Sequence, residues 1–401
     1  MSDSFQLPHR LEAPKRLLLG PGPSPVNAQV LQALAQPTLG HLDPVFLRVM
    51  DECRDMLRHV FGTANQLTIP MSGTGSAGME TLMVNLVEPG DRALVVVNGV
   101  FGGRIAESAR RAGATVQEVP VVWGEVISAE RLREEVERFG GTVDVIALVH
   151  AETSTGALQP LEGLRAVADE AGALLVLDTV TSLGGTPVNL DDWGIDAAYS
   201  GSQKCLSCPP GLAPVSLSSR ALSKLNQRKT PVQSWYLDLS LIAQYWGAER
   251  AYHHTAPTNM VVALHEALRL CCEEGLSARF ARHRRAGAAL QAGLEAMGLV
   301  LPVDARIRLP QLTVVAVPEG VAAAAVQRRM LSEHGIEIGG GLGNLKGRAW
   351  RIGMMGSGAT LANITRCLAG LGEALQGVGF SHVGDAEATA KEVWSAQADV
   401  S

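Results

Sequence analysis

The chain has 401 residues, 46% of them hydrophobic and 4% aromatic, with Lys+Arg 34 against Asp+Glu 40 and a net charge of -6. That length can bury two sizeable cores, while the acidic balance, with no basic cluster interleaved by aromatics, argues against nucleic acid as a partner. Its apolar runs are strand-length and broken by glycine or charge, so none is expected to span a membrane, and Met1-Ser-Asp-Ser-Phe-Gln lacks the features of a secretory signal; the expected location is cytoplasmic.

In chain order, residues 1–16 are charged and irregular, and Leu17-Leu-Leu-Gly20-Pro-Gly-Pro-Ser-Pro25 joins an apolar run to a turn-rich segment. Helical spacing covers 26–34 and 44–60, the second with Phe46, Val49, Met50, Met56, Leu57 and Val60 as its apolar face. A strand from Leu67 enters the loop Ser72-Gly-Thr74-Gly75-Ser76 and a helix through Leu86. Small residues at a helix N-terminus suit a phosphate, although such a loop can also be only a tight turn. Gly73-x-Gly75-x-x-Gly78 matches the dinucleotide fingerprint by letter, yet the next strand, 93–97, ends in Asn98 where a ribose-binding acid would stand. Phe101 follows on a polar loop, placed for ring stacking or for the core. The strand 143–149 leads to His150, Glu152 and Thr153, the first two read as structural. A helix over 163–171 precedes Leu174-Leu-Val-Leu-Asp178, a buried parallel strand ending in an acid.

The centre of the pattern is Tyr199-Ser-Gly-Ser-Gln203-Lys204-Cys-Leu-Ser-Cys-Pro-Pro-Gly211. Small and turn-forming residues hold this lysine in a constrained loop instead of displaying it on a helix. A lysine in such a turn, following a strand that ends in Asp178, suggests an aldehyde held on the amine and a pyridine nitrogen paired to the carboxylate, which is the protein half of pyridoxal 5'-phosphate chemistry. Val180 would pack beneath the ring and Gln203 would contact the phosphate. Neither Cys205-x-x-Cys208 nor His253-His254 comes with enough further ligands for a metal, so no metal is expected. Helices over 261–274 and 278–297 lead to a strand at Leu312 and to Arg348-Ala-Trp-Arg351-Ile-Gly353. An arginine in an apolar strand needs an anion, either a substrate carboxylate or a structural acid. The alternation of strands and helices indicates an α/β fold with a mainly parallel sheet, divided as 1–16 extension, 17–260 large domain, 261–380 smaller α+β domain and 381–401 tail.

On these motifs, from about Leu17 to about Leu375, the chain resembles the alanine/serine–glyoxylate aminotransferases of class V, within the fold type I pyridoxal phosphate enzymes. The resemblance implies a seven-stranded-type sheet and Lys204 as the catalytic residue. It implies a phosphate cup of Thr74, Gly75 and Ser76, ring contacts from Phe101 and Asp178, and Thr153 near the phenolic oxygen. Tyr252 and Thr255 would reach the phosphate of a neighbouring subunit, making a homodimer with shared active sites. The backbone at Gly20 and the Arg351 guanidinium would hold the substrate. The implied reaction moves the amino group of alanine or serine to glyoxylate, giving glycine and a 2-oxo acid. Ureidoglycine is the alternative donor; relatives that use it carry Gln and Asn at two pocket positions, and His41 aligns with the Gln. A cysteine desulfurase-like lyase would need a mobile cysteine and a histidine before the lysine, where this chain has Cys367 in a helical pattern and Gln203.

Overall fold

The computed structural model describes residues 6–381 and 383–397. Seven strands form one sheet in the order Leu67–Ser72, Leu212–Leu217, Ala197–Tyr199, Leu174–Asp178, Val145–Val149, Arg92–Val97, Thr115–Pro120. Only Leu212–Leu217 runs antiparallel to its neighbours; the other pairings are parallel. Val145–Val149 and Leu174–Asp178 are buried at every position, which is why they read as continuous apolar runs without alternation. The helix Pro44–Phe61 starts on Asp43, whose carboxylate accepts the Val45 N–H at 2.8 Å, and it buries Phe46, Met50, Cys53, Leu57, Val60 and Phe61; the expected Val49 and Met56 sit at the margin of that core.

A second core gathers around Trp350, Ile352, Met330 and Leu290, beside the antiparallel sheet of Leu312–Ala316, Ala349–Gly353 and Gly339–Gly340. Three sequence boundaries shift. The helix Thr258–Glu274, expected in the smaller domain, buries Val261, Leu264 and Leu268 in the larger core, and the change of core falls within the helix Leu276–Ala296, whose Leu276 still packs on the larger core while Ala286 and Leu290 lie in the second. At the other end, Leu17–Leu18 pairs in parallel with Ile336–Glu337, and Leu19 belongs to the second core. The segment read as a tail carries the helix Ala386–Ala396, whose Ala386 and Ala390 are buried in that same core. Small apolar faces of this kind declare their partner only after folding.

A polar latch joins the cores near the start of the helix Leu276–Ala296. Glu274 accepts from Arg279 at 2.6 Å and from Arg282 at 2.5 Å. Arg279 passes on to the carbonyls of Gly184 and Cys205, and Arg282 to that of Gly356 at 2.8 Å. His283 is fully buried beside them; its Nε2 accepts the Gly356 N–H at 2.9 Å, so its Nδ1 carries the proton and donates to the Arg279 carbonyl at 2.7 Å. Burial, reinforced by the charges of Arg279 and Arg282, pushes the imidazole down to about 3. Because this folded value lies below the unfolded one, the stability it confers is complete above about pH 6.5 and is lost as pH falls toward 3. We expect His283→Gln to flatten the fall in unfolding free energy between pH 6 and pH 4 by about 1.4 kcal/mol per pH unit relative to wild type, measured by denaturant titration across that range.

Candidate active site

Every strand of the seven-stranded sheet that feeds the site does so from its carboxyl end, where the backbone leaves the sheet and the side chains converge on one crevice. The crevice is a cavity of about 140 Å³ lined by Thr74, Gly75, Ser76, Phe101, Thr153, Asp178, Val180, Gln203 and Lys204, together with Arg104, Thr181 and Tyr199. The structure thus brings together nine of the residues expected to hold cofactor or perform chemistry.

At one end, Thr74 is the extended residue before the helix Gly75–Leu86 and its hydroxyl caps nothing. The amides of Gly75 and Ser76 precede the first helical hydrogen bonds, so they remain available to an anion. The carboxamide of Gln203 also has no partner among the described residues, and its oxygen is buried. At one side, Phe101 is held by Glu152, whose carboxylate accepts the Phe101 N–H at 3.1 Å and the Ser154 N–H and hydroxyl at 3.0 and 2.5 Å. Glu152 is therefore structural, as expected, and the ring it fixes carries the Arg104 guanidinium 4.9 Å from its centroid.

Asp178, 4% exposed, is pushed up to about 6 by burial, against the pull of hydrogen bonds from Tyr199 and the Val180 N–H. Across the cavity Lys204, 8% exposed, is lowered to about 8 by burial and by the nearby Arg351. Its amine donates to the Pro21 carbonyl, and its chain lies over Gly22, where a Cβ would come within 2.7 Å of the lysine Cδ. Gly22 also has φ +108, so no larger residue fits there without strain. The strap is tied to the loop twice more, since Ser24 donates its N–H to the Gln203 carbonyl at 2.9 Å and its hydroxyl to the Lys204 carbonyl at 2.6 Å.

Arg351, 6% exposed, donates to the carbonyls of Gly340 at 2.7 Å and Thr153 at 3.4 Å. Among the described residues no carboxylate pairs with it, so the structural-acid alternative is set aside. Burial lowers it to about 10, which leaves a desolvated cation in need of an anion.

Four expectations fall elsewhere: Arg351 does not line the cavity and meets it through the carbonyl of Thr153. Gly20 does not line the cavity; its carbonyl lies against Gly353, and the residues that reach the lysine are Pro21 and Gly22. Tyr252 and Thr255 bond to each other at 3.1 Å on an exposed surface, outside the cavity of their own chain. The residues missed are Arg104 and Tyr199. Only a strand register could have revealed Tyr199, which pairs with Asp178 across the parallel ladder.

Other chemistry-bearing groups are occupied by packing. Cys205 donates to the Thr181 carbonyl at 3.4 Å, and burial pushes both it and Cys208 up to about 12, so neither thiol offers a thiolate. Cys367 is buried in the helix Leu361–Gln376 and is likewise pushed up to about 12. His253 and His254 rest on Trp235 and Tyr236, each ring pair 4.1 Å apart.

A phosphate-sized anion site, a ring-stacking aromatic, a buried carboxylate and a buried lysine in one crevice fit pyridoxal 5'-phosphate. The comparisons with known proteins agree. The family model for class-V aminotransferases matches residues 18–346. The chain is 42% identical over 370 residues to alanine–glyoxylate aminotransferase of Rattus norvegicus, covering 91% of this chain and 89% of that protein. It is 39% identical over 376 residues to (S)-ureidoglycine–glyoxylate transaminase of Bacillus subtilis, covering 89% and 90%. Among solved structures, alanine–glyoxylate aminotransferase from Nostoc sp. superposes with a TM-score of 0.91 at 51% identity, covering 93% of this chain and 98% of that one. With match, fold and site in accord, this chain belongs to the class-V aminotransferases, fold type I enzymes that work with pyridoxal 5'-phosphate.

Proposed function

We propose that the protein moves the amino group of a small L-amino acid, alanine or serine, to glyoxylate, giving glycine and a 2-oxo acid. The observation that carries this reading is Arg351, a buried cation beside Lys204 with no acidic partner among the described residues, because every substrate of such an exchange brings a carboxylate. The relatives named for alanine and glyoxylate support the substrate class.

When bound, pyridoxal 5'-phosphate supplies an aldehyde for amine exchange and a ring that accepts an electron pair from the substrate Cα. Thr74, Gly75, Ser76 and Gln203 would hold its phosphate, Phe101 and Val180 its two ring faces, and Thr153 its phenolic edge. Asp178 would hold a proton on the ring nitrogen. Lys204, its amine lowered to about 8, would hold the aldehyde and would accept and return the proton at the substrate Cα. Arg351 fixes the carboxylate so that the Cα–H faces that amine.

We further propose a homodimer with shared sites. Trp235 and Tyr252 are 63% and 55% exposed, and with Tyr236 and the histidines they form an aromatic surface of the kind that marks an interface. The Tyr252–Thr255 pair, outside the cavity of its own chain with the Tyr252 ring 4.9 Å from that of His41, would complete the phosphate site of the second copy.

Three outcomes check these proposals. Rapid-mixing absorbance of the purified protein without acceptor should show the visible cofactor band lost with L-alanine or L-serine and restored by glyoxylate. Ureidoglycine as the sole effective donor would reassign the donor, whereas a response to L-cysteine alone, with sulfide release, would overturn the reaction class. Arg351→Gln should raise KM for the amino acid on the order of 100-fold, with a smaller change in kcat. Mixing inactive Lys204→Ala with the double variant Tyr252→Ala/Thr255→Ala, after dissociation and reassociation, should recover about a quarter of wild-type activity, since each mixed dimer regains one intact site; no recovery would dismiss shared sites.

A further inference from the structure

Tyr199 is one of the largest fully buried side chains in the molecule. Packing alone would be served by phenylalanine, because a buried hydroxyl must find a partner or cost stability. Its partner is the carboxylate of Asp178: the phenol donates to Oδ2 at 2.6 Å. The geometry is imposed by the sheet. Leu174–Asp178 and Ala197–Tyr199 are adjacent parallel strands, and Asp178 stands opposite Tyr199 in register, so both side chains leave the same face at the carboxyl end. Thr179 secures the turn by donating its N–H and its hydroxyl to the Tyr199 carbonyl, each at 2.8 Å. The other carboxylate oxygen, Oδ1, accepts the Val180 N–H at 2.8 Å.

Each oxygen of Asp178 therefore receives one fixed donor from the protein, which locks the carboxylate plane and leaves one lone pair on each oxygen for a ligand. Hydrogen bonds to the charged form also favour ionisation. We infer that Tyr199 is a positioning residue of the aminotransferase site, whose phenol holds the Asp178 carboxylate ionised and oriented toward the ring nitrogen of the cofactor. The inference rests on Asp178 being that nitrogen's partner.

The setting makes this bond necessary. Asp178 is removed from water, and burial works to neutralise it. Of the charged groups facing it, Glu152 repels its ionised form and Lys204 favours it. Arg351 acts on the lysine, and Arg104 acts on the phenol. Lys204 is the smallest of the named influences on Asp178, so the carboxylate depends chiefly on its hydrogen-bond donors. The two neutral donors, Tyr199 and the Val180 amide, persist through every stage. Tyr199 itself stays protonated, since burial and the adjacent carboxylate raise its pKa well above that of an ordinary phenol.

The test uses the full-length protein with its natural cofactor. Affinity for pyridoxal 5'-phosphate is measured by fluorescence titration from pH 5 to pH 8.5 in wild type, Tyr199→Phe and Asp178→Asn, and nitrogen NMR of ring-labelled cofactor reports protonation of its nitrogen. Wild-type affinity should fall below a break near pH 6. In Tyr199→Phe the break should move upward, weakening binding roughly five- to fiftyfold at pH 6 and little at pH 8, and the nitrogen resonance at pH 7 should shift toward the unprotonated form. Replacing Tyr199 alone by a ring-fluorinated tyrosine, a stronger donor of nearly equal size, should move the break the other way and does not depend on the phenylalanine variant folding well. A pH-independent loss in Tyr199→Phe with an unchanged resonance would show a packing role only and overturn the inference. If Asp178→Asn also left affinity and resonance unchanged, the assignment of Asp178 itself would fall, which distinguishes the two failures.

Discussion

Three charges held out of water, two lining one cavity and the third bonded to the carbonyl of its lining residue Thr153, set the terms for this molecule. Lys204, Asp178 and Arg351 are each at least nine-tenths buried, and burial drives each toward its neutral form. The lysine and the carboxylate can yield to that pressure, and they do, meeting near neutral pH. The arginine retains its charge under physiological conditions. In a hydrated groove the same residues would be an ordinary acid and two ordinary bases. Desolvation turns them into an amine that can give up its proton, an acid sensitive to its hydrogen-bond donors, and a cation that discriminates for carboxylates.

Holding such groups together is costly, and the architecture shows where the support comes from. The sheet supplies the acid and the phosphate loop from strand ends. The second core supplies Arg351 on its own strand. Between them runs the strap that begins at Leu17: its first residues are hydrogen-bonded to Ile336–Glu337 and Gly353, and its next residues meet Lys204 through Pro21, Gly22 and Ser24. One short segment thus links the strand carrying the arginine to the loop carrying the lysine. The latch of Glu274, Arg279, Arg282 and His283 adds a second link on the far side, reaching the Cys205 and Gly356 carbonyls. Gly356 has no room for a side chain, because a Cβ would lie 1.8 Å from the Ser207 hydroxyl, and so the two loops meet at their backbones.

The residues that look reactive in the sequence and are not follow the same logic in reverse. Cys205, Cys208 and Cys367 are buried without a cation strong enough to stabilise a thiolate, and burial pushes all three up. His150 is likewise buried, its ring edge-on to Trp193 at 5.2 Å, and it is pushed down to about 4. Depth alone disarms a group; depth opposite a complementary group or ligand puts it to use.

What the sequence by itself determined is what local chemistry can determine. Apolar runs ending in Asp178 or in a glycine loop specify buried parallel strands and their carboxyl-end site, and small residues around Lys204 and after Leu67 specify turns that admit a ligand. These signals lie within a few neighbouring residues, so they survive in one dimension. Tertiary structure decided the rest, because it depends on which distant residues share a register or a core. The Asp178–Tyr199 pairing is a property of two strands laid side by side. The strap's attachment to the smaller core depends on two backbone hydrogen-bonding residues with no side-chain signature. Arg351 could be read as a cation needing an anion, but only folding showed that the described residues offer it carbonyls and no paired carboxylate. Local pattern fixes what each residue is able to do; burial and register, which arise only from the whole chain closing on itself, fix what it is left to do.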